Sequence, residues 1–283
     1  MTQRSPNRGC AIGVDVGATL AKLVVRSADG ELTFDHMDAL DLQGLLGRIR
    51  SLPGETLGLT GCGAAQVAEN IDLKSEQYVE FEAWGRGANI LLDRQKRATP
   101  TSYLLVSLGT GTSMLRVDTT GTIRLGGTAL GGGTMLGLGG ALVGASDHRS
   151  LCDLARGGRR DQVDLLIKHI NPEGVGTLPP EASASNFGLL ARQARAKIEV
   201  QPQAGDLAAS VIGLVAENVA LHSCAVAKAD GLSCIVYGGS ALLDNPLLQV
   251  LLAGITAASG REAILLEDGS HAGAVGALAL ATP

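Results

Sequence analysis

Residues 103 to 118 form two apolar runs on either side of a Gly-Thr-Gly turn, and they read Tyr-Leu-Leu-Val-Ser-Leu-Gly-Thr-Gly-Thr-Ser-Met-Leu-Arg-Val-Asp. An earlier stretch, residues 10 to 25, has the same plan and reads Cys-Ala-Ile-Gly-Val-Asp-Val-Gly-Ala-Thr-Leu-Ala-Lys-Leu-Val-Val. Gly17 of the earlier stretch lies 92 residues before Gly109 of the later one. Apolar runs around a tight glycine turn predict β-hairpins. The chain is therefore predicted to contain a duplicated hairpin unit.

Strands alternate with helices between and after the two hairpins. Apolar periodicity predicts helices at 41–50, 82–95, 206–228 and 273–281, a short helix after Gly61, a polar helical region at 149–169, and strands at 31–36, 56–59, 77–81, 234–237 and 263–266. This alternation predicts an α/β fold with mixed sheets and helices on both faces. The basic run 94–100 marks a predicted domain boundary. The N-terminal domain is expected to be 1–100, joined by the C-terminal helix 273–283, and the C-terminal domain to be 101–272.

A glycine-rich stretch follows the second hairpin. Residues 124 to 144 read Arg-Leu-Gly-Gly-Thr-Ala-Leu-Gly-Gly-Gly-Thr-Met-Leu-Gly-Leu-Gly-Gly-Ala-Leu-Val-Gly, and nine of them are glycine. Glycines can adopt positive φ and leave N–H groups unshielded, as a loop around a phosphate chain requires. Helical periodicity from Met135 onward predicts that the loop ends at a helix N-terminus, which favours an anion.

Two other interpretations of this stretch are a transmembrane span and a structural helix contact between small residues. The high glycine content disfavours the span. The helix contact explains the later glycines but not the triplet 131–133, because each glycine inside a helix costs about 1 kcal/mol.

Composition points to a protein that acts on small molecules. The 283 residues are 45% hydrophobic and 2% aromatic, with a formal net charge of −5, which disfavours nucleic-acid binding. Five cysteines without a C-x-x-C pair indicate neither a zinc site nor a disulfide framework, and they predict a reducing, cytoplasmic setting. Residues 1–8 are polar and lack the apolar region of a signal peptide, so they are expected to be a frayed tail with no membrane association.

The two hairpins and a late Gly-Gly-Ser turn at 238–240 resemble the nucleotide-binding plan of the actin-like ATPase and sugar kinase superfamily. That resemblance implies two duplicated ribonuclease H-like domains with an ATP cleft between them. Within the superfamily, the chain resembles the type II pantothenate kinases over nearly its whole length. The matching blocks are 13–22, 59–61, 68–71, 79–83, 108–112, 124–139, 184–188, 237–240, 267–269 and 273–278.

The resemblance implies a defined reaction. Type II pantothenate kinases transfer the γ-phosphoryl group of ATP to the primary hydroxyl of pantothenate, giving 4′-phosphopantothenate in the first step of coenzyme A biosynthesis. Glu80 matches the family's catalytic residue and would accept the proton of that hydroxyl. A carboxylate at the C-terminal end of a predicted strand agrees with this role. Asp15 matches the carboxylate that holds Mg²⁺ through water.

The resemblance also implies binding residues and partners. Pantothenate would be bound by Arg124, with its planar fork, and by Gly126 and Thr128. Pantothenate and ATP are the implied substrates, a coenzyme A or acyl-coenzyme A feedback ligand is a further candidate, and a homodimer is expected to form partly through helix 206–228. The residues implied for ATP and its phosphates are Asp15, Gly17, Thr19, Lys22, Gly109, Thr110, Gly111, Gly131, Gly132, Gly133, Thr134, His148, Gly239 and Ser240.

Three residues depart from the family pattern. Ala18 replaces the second glycine of the first hairpin, and alanine tolerates positive φ poorly, so a changed turn geometry or nucleotide affinity is expected. His148 stands where relatives often have an aromatic residue near the adenine. Trp84 is bulkier than the usual small residue, which indicates either a narrower pantothenate pocket or helix packing.

Three alternative functions remain from the sequence. One is a kinase of another small hydroxyl compound such as an amino sugar, against which the Glu80 and Arg124 blocks argue. Another is an ATP-driven activator with an iron–sulfur cluster at a dimer interface, for which only Cys62, between two glycines, comes near the required pattern. The third is a non-catalytic relative that binds ATP or acyl-coenzyme A for regulation, and the retention of Glu80 and Arg124 argues against it.

Overall fold

The fold contains two five-stranded sheets with the same strand order and directions. A computed structural model describes residues 10–176 and 178–282, so the predicted N-terminal tail lies outside the described residues. The strands of these sheets are β1 Ala11–Val16, β2 Leu20–Arg26, β3 Leu32–Asp38, β4 Thr56–Thr60, β5 Ser75–Gln77, β6 Ser102–Leu108, β7 Thr112–Asp118, β8 Gly121–Thr128, β11 Cys234–Gly238 and β12 Glu262–Leu265. The first sheet has the order β3-β2-β1-β4-β5 and the second the order β8-β7-β6-β11-β12.

The two sheets also agree strand by strand in direction. In each, three strands form an antiparallel meander, and the first of them pairs in parallel with a strand reached through a helical connection. That strand in turn pairs in parallel with the last strand of the sheet. The predicted duplication of an α/β unit with mixed sheets is therefore confirmed. A small separate pair consists of β9 Leu165–Leu166 and β10 Ser183–Ser185.

Helices cover both sheets. They are α1 Leu42–Ser51, α2 Ala64–Glu69, α3 Glu80–Arg94, α4 Gly132–Val143, α5 His148–Ala155, α6 Gly188–Arg195, α7 Ala204–Ala229, α8 Pro246–Ala258 and α9 Ala272–Ala281. Most predicted helices are confirmed within two residues at each end. The polar region 149–169 is not one helix: it contains α5, two short 3₁₀ turns and β9. Asp164 explains part of this, because its buried side chain accepts a bond from the backbone N–H of Phe187 and ties the segment to a distant loop.

The predicted strand 77–81 is wrong in its bounds. The strand β5 ends at Gln77, and α3 begins at Glu80 after an extended Val79. Two acidic residues in the first turn of α3, Glu80 and Glu82, favour a helix start because they interact with the positive end of the helix dipole. Glu80 is thus the first residue of a helix and does not belong to the predicted strand, although it still follows the C-terminal end of a parallel strand.

The core has three connected parts. One lies around the first sheet with α1 and α2, and another lies around the second sheet with α7 and α8. Between them, α3 and α9 pack against each other and against residues of both sheets. The C-terminal helix α9 lies on β1 and β4 of the first sheet, where a Cβ on Gly13 or Gly58 would overlap with the α9 backbone. The last helix of the chain therefore packs with the first sheet.

The long helix α7 is a core element. In the described part of the chain it is the one helix long and apolar enough to cross a bilayer by length and composition. About 61% of its most apolar window is buried inside the protein, and half of its 26 residues are buried. The glycine-rich stretch that raised the question of a span instead forms β8 and α4, with a turn between them.

Candidate active site

A cavity of about 570 Å³ lies between the ends of the two sheets. It is lined by residues from both hairpins, from the start of α3 and from β8. The predicted site residues that line it are Asp15, Gly17, Thr19, Lys22, Glu80, Gly109, Thr110, Gly111, Arg124, Thr128 and Ser240. The lining residues that the sequence did not assign to the site include Cys62, Ser107, Thr112, Ser113, Gly127 and Ala129. The cleft thus joins most of the predicted phosphate, catalytic and substrate residues.

The first hairpin places a buried ion pair in this cleft. Asp15 on β1 and Lys22 on β2 are directly opposite each other in the antiparallel register, and Lys22 Nζ lies 3.7 Å from Asp15 Oδ2. Both residues are buried. Burial raises the pKa of the Asp15 carboxyl, and the positive charge of Lys22 opposes that rise. Ala18 is not among the described non-glycine residues with positive φ, so this turn does not place its alanine in the region that favours glycine.

The second hairpin is supported by the glycine triplet. The N–H of Gly132 donates to the carbonyl of Gly109 at 2.8 Å, and the N–H of Gly133 donates to Thr110 at 2.9 Å. A Cβ on Gly131 would lie 2.7 Å from the carbonyl oxygen of Thr110, so only glycine allows this approach. These amides are already bonded to the hairpin, and the triplet lies outside the cavity lining. The triplet therefore holds the shape of the second hairpin.

The expectation that these glycines supply positive φ is wrong. None of the five glycines at 126, 127 and 131–133 has positive φ, and α4 begins at Gly132 with Gly131 as its extended N-cap. Close approach explains four of them, because a Cβ at 127, 131, 132 or 133 would lie 2.9 Å or less from an atom of the second hairpin. Gly126 meets no such atom and follows an irregularity in the pairing of β7 with β8. Thr134 bonds to the carbonyl of Ala129 and caps α4.

Glu80 presents its carboxyl to the cleft from the first turn of α3. The residue is exposed at the cleft opening, yet the surrounding walls remove part of the water around the carboxyl. This desolvation raises the Glu80 pKa, the negative charge of Asp15 raises it further, and Lys22 opposes both effects. A carboxylate with a raised pKa is a stronger proton acceptor than an ordinary glutamate.

Arg124 and Thr128 reach the same cavity from β8. The Arg124 side chain passes over Gly127, where a Cβ would lie 2.9 Å from its Nη2 atom. Thr128 accepts a bond from the N–H of Leu130 at the turn into α4. An exposed guanidinium therefore faces the cleft that contains Glu80.

Besides the glycine triplet and Thr134, two further predicted nucleotide residues lie outside this cavity. His148 begins α5, and its Nε2 atom lies 2.7 Å from the carbonyl oxygen of Leu243. Gly239 has a φ of 113°, and a Cβ there would overlap with the backbone of Leu108. Gly239 thus shapes the turn that brings Ser240 into the cavity lining. It also borders a second cavity of about 280 Å³.

The described residues suit a magnesium ion better than a metal ion that is held only by protein side chains. They contain no group of three or more His, Cys, Asp or Glu side chains arranged to hold an ion. Asp15 is a single carboxylate at the base of the cleft. Mg²⁺ commonly uses one or two carboxylates with waters and substrate phosphates, so Asp15 suits that ion.

Comparisons with known proteins agree on one family. The Fumble family model matches residues 47–280. A type II pantothenate kinase from Staphylococcus haemolyticus is 32% identical over 269 residues, which cover 95% of this chain and 99% of the relative. A type II pantothenate kinase from Staphylococcus aureus strain USA300 is 33% identical over an alignment that covers 95% of this chain and 98% of the relative.

Solved structures share the fold at low sequence identity. The activator of 2-hydroxyisocaproyl-CoA dehydratase from Clostridium difficile, with bound ADPNP, has a TM-score of 0.62 at 16% identity and covers 96% of this chain and 94% of its own. A ROK family glucokinase from Streptomyces griseus has a TM-score of 0.57 at 16% identity and covers 96% of this chain and 99% of its own. The fold is therefore the duplicated actin-like one. The sequence relatives decide the family within it, and the chain belongs to the type II pantothenate kinases.

Proposed function

We propose that this protein is an ATP-dependent pantothenate kinase that forms 4′-phosphopantothenate. The observation that carries the proposal is the meeting of Glu80, Arg124 and both hairpins around one cleft. Family membership supports the substrate, because relatives over 95% of the chain are type II pantothenate kinases. Phosphoryl transfer depends mainly on positioning and on neutralising charge, and these residues supply both.

ATP is proposed to bind with its phosphates between the two hairpins. Lys22 supplies a positive charge at the base of the cleft, and the tip of the second hairpin, at Thr110 and Gly111, supplies backbone amides, whereas the Gly109 amide bonds to the Gly111 carbonyl. Asp15 would hold Mg²⁺ through water. When bound, the ion would neutralise charge on the phosphates. The pair of Asp15 and Lys22 then keeps opposite charges fixed beside the transferring group.

Glu80 is proposed as the proton acceptor. The pantothenate hydroxyl loses its proton to the Glu80 carboxylate, its oxygen forms a bond to the γ-phosphorus, and the bond between that phosphorus and the β–γ bridging oxygen breaks to release ADP. Arg124 binds an oxygen of pantothenate through its planar fork and orients the hydroxyl. The two roles are separate, because one residue acts on the reacting proton and the other on binding.

The alternative functions differ in what they need from the cleft. A kinase of an amino sugar would use the same hairpins, but it would not require Arg124. An iron–sulfur activator would need ligands beside Cys62, whose thiol is exposed and bonds only to the Val16 carbonyl among the described hydrogen bonds. A non-catalytic regulator would not need Glu80 in the cleft. Family membership favours the pantothenate kinase over all three.

The proposal also covers the oligomeric state, a feedback ligand and the cellular compartment. The protein is proposed to form a homodimer through the exposed side of α7, where Leu221 is 57% exposed. Most of the apolar pattern of α7 is used by the protein's own core, so the interface involves the narrower exposed stripe of Asn218, Leu221, His222 and Ala225. Coenzyme A or an acyl-coenzyme A is proposed as a feedback ligand. Free thiols at all five cysteines fit a reducing cytoplasm.

The test is a substrate panel with the purified protein. ADP formation is measured with pantothenate, glucose and amino sugars, and the product is identified by mass spectrometry. Pantothenate should stimulate ADP formation and yield an equal amount of phosphopantothenate. Strong stimulation by another hydroxyl compound, with none by pantothenate, would refute the assignment of the substrate.

A further inference from the structure

Trp84 is the only tryptophan of the chain and lies at the base of the cleft. It follows Glu80 by one turn of α3, so both residues lie on the same side of that helix. Only 4% of its surface is exposed. Its ring packs among core residues that belong to both halves of the protein, and its Cζ3 atom approaches Gly238 at the end of β11. The ring position is therefore fixed by packing on several sides.

The indole N–H of Trp84 has no hydrogen-bond partner among the described residues, although its nitrogen is buried. A buried donor without an acceptor loses its bond to water and gains nothing in return. Such a group in a native protein calls for a specific explanation. An acceptor that comes into range in another state of the protein would supply one.

The carboxylate of Asp15 is a candidate acceptor. A Cβ on Gly273 would lie 2.6 Å from Asp15 Oδ2 and 2.9 Å from Trp84 Nε1, so both atoms face the same glycine. On the other side of the carboxyl, a Cβ on Gly61 would lie 2.6 Å from Asp15 Oδ1. Each oxygen thus has a glycine beside it, and the indole nitrogen lies next to the glycine that faces Oδ2, while Asp15 still lines the cleft.

We infer that Trp84 is a positioning residue for Asp15, whose carboxylate accepts a hydrogen bond from the indole N–H when the cleft closes on a magnesium nucleotide. The inference rests on the proposed function, because it assumes that nucleotide binds at the hairpins. Lys22 holds the carboxylate from one side at 3.7 Å, and the indole holds it from another. A neutral donor fixed by packing orients a carboxylate without adding a charge that repels the metal ion.

Because the chain has one tryptophan, protein labelled with ¹⁵N only at tryptophan gives a single indole signal. Adding Mg²⁺ and ADP should move the indole proton downfield and slow its exchange with water. In Asp15→Ala, at nucleotide concentrations where calorimetry shows binding, the signal should not move. A signal that stays in place in the wild type overturns the inference. A shift that persists in Asp15→Ala also overturns it, because the acceptor would then be the nucleotide.

Kinetics of Trp84→Phe provide a second test, since phenylalanine keeps an aromatic ring and lacks the donor. The Mg²⁺ concentration for half-maximal activity should rise by about tenfold or more, the scale of one lost hydrogen bond to a charged group, with KM for pantothenate nearly unchanged. The matched control is Leu266→Val, which trims the same core cluster and should leave the Mg²⁺ requirement unchanged.

An unchanged Mg²⁺ requirement in Trp84→Phe contradicts the inference. If the phenylalanine variant does not fold, the indole signal of the wild type still decides the question. The indole measurement needs no acceptor substrate, so a wrong substrate assignment would leave its result intact. Conversely, if the protein phosphorylates pantothenate but its indole signal does not shift, this inference is rejected and the proposed function stands.

Discussion

The side-chain oxygens of Thr19 and Thr110 lie 3.0 Å apart, so the two hairpins touch across the cleft. One threonine belongs to each copy of the duplicated unit, and the residues are 91 positions apart in the chain. Both hydroxyls line the cavity that we assign to the phosphates of ATP. A bound phosphate chain would therefore replace this contact with bonds from each hydroxyl to the ligand.

Replacing either threonine with valine should weaken ATP binding. Valine keeps the shape and removes the hydroxyl. A hydrogen bond to a charged phosphate contributes about 1.5–3 kcal/mol, so KM for ATP should rise at least about tenfold in Thr19→Val and in Thr110→Val. Thr119→Val, at the exposed turn between β7 and β8, is the control. Initial rates over a range of ATP concentrations give the comparison. Unchanged KM values in both variants would mean that the phosphates bind elsewhere.

Arg124→Ala should weaken the binding of pantothenate rather than of ATP. Losing a hydrogen bond to a charged group costs about 1.5–3 kcal/mol, so KM for pantothenate should rise at least about tenfold while KM for ATP stays nearly constant. Arg86→Ala removes an exposed arginine from α3 and serves as the control. A rise in KM for ATP alone would move Arg124 from the substrate to the nucleotide.

The stability of the fold should fall in acid partly through His271. Its Nε2 atom lies 3.1 Å from the Asp35 carbonyl oxygen and must donate to it, so Nδ1 accepts from the Ser270 hydroxyl in a neutral ring. Burial lowers the pKa of His271. Stability from this residue is therefore fully present above the unfolded pKa, about 6.5, and is lost as the pH falls through the lower folded pKa.

His271→Gln tests this account, since glutamine keeps a donor and an acceptor but does not titrate. The difference in free energy of unfolding between wild type and variant should shrink between about pH 8 and about pH 5, as measured by urea denaturation. A difference that does not depend on pH would show that His271 keeps its ordinary pKa.

The proposed homodimer depends on the exposed stripe of α7. Light scattering of the wild type should give twice the chain mass of 28.9 kDa. Leu221→Glu places a charge at the centre of the stripe and should return the mass to that of one chain. Val250→Glu, on the exposed face of α8, should remain dimeric. A wild type with the mass of one chain at micromolar concentration would reject the dimer.

Much of the fold was predictable because the hairpins carry strong local signals. The glycine turns and alternating apolar runs indicated both copies, and the equal spacing indicated their common plan. The start of α3 was not predictable in the same way. Residues 77–81 are apolar enough for a strand, but β4 pairs with only three residues of β5 before the chain turns into a helix. Strand length here is set by a partner distant in sequence.

The candidate site was predictable in its residues and less so in their roles. The resemblance to the type II pantothenate kinases pointed to Glu80, Arg124 and Asp15 as site residues. All three line the cleft. The glycine triplet was assigned to phosphate because glycine frees backbone amides, yet two of those amides bond to the second hairpin. Which amides are free depends on tertiary packing. The bond between Thr19 and Thr110 likewise had no local signal, because it joins two distant turns.

The transfer of the γ-phosphoryl group from labelled ATP to pantothenate in a single turnover tests the central claim most directly. Glu80→Gln keeps the size of the side chain and removes the proton acceptor, so the rate of transfer should fall by roughly 10²-fold or more while ATP still binds. Glu82→Gln, an exposed residue in the same first turn of α3, should keep nearly the wild-type rate. Near-wild-type transfer by Glu80→Gln, or no transfer to pantothenate by the wild type, would contradict the account.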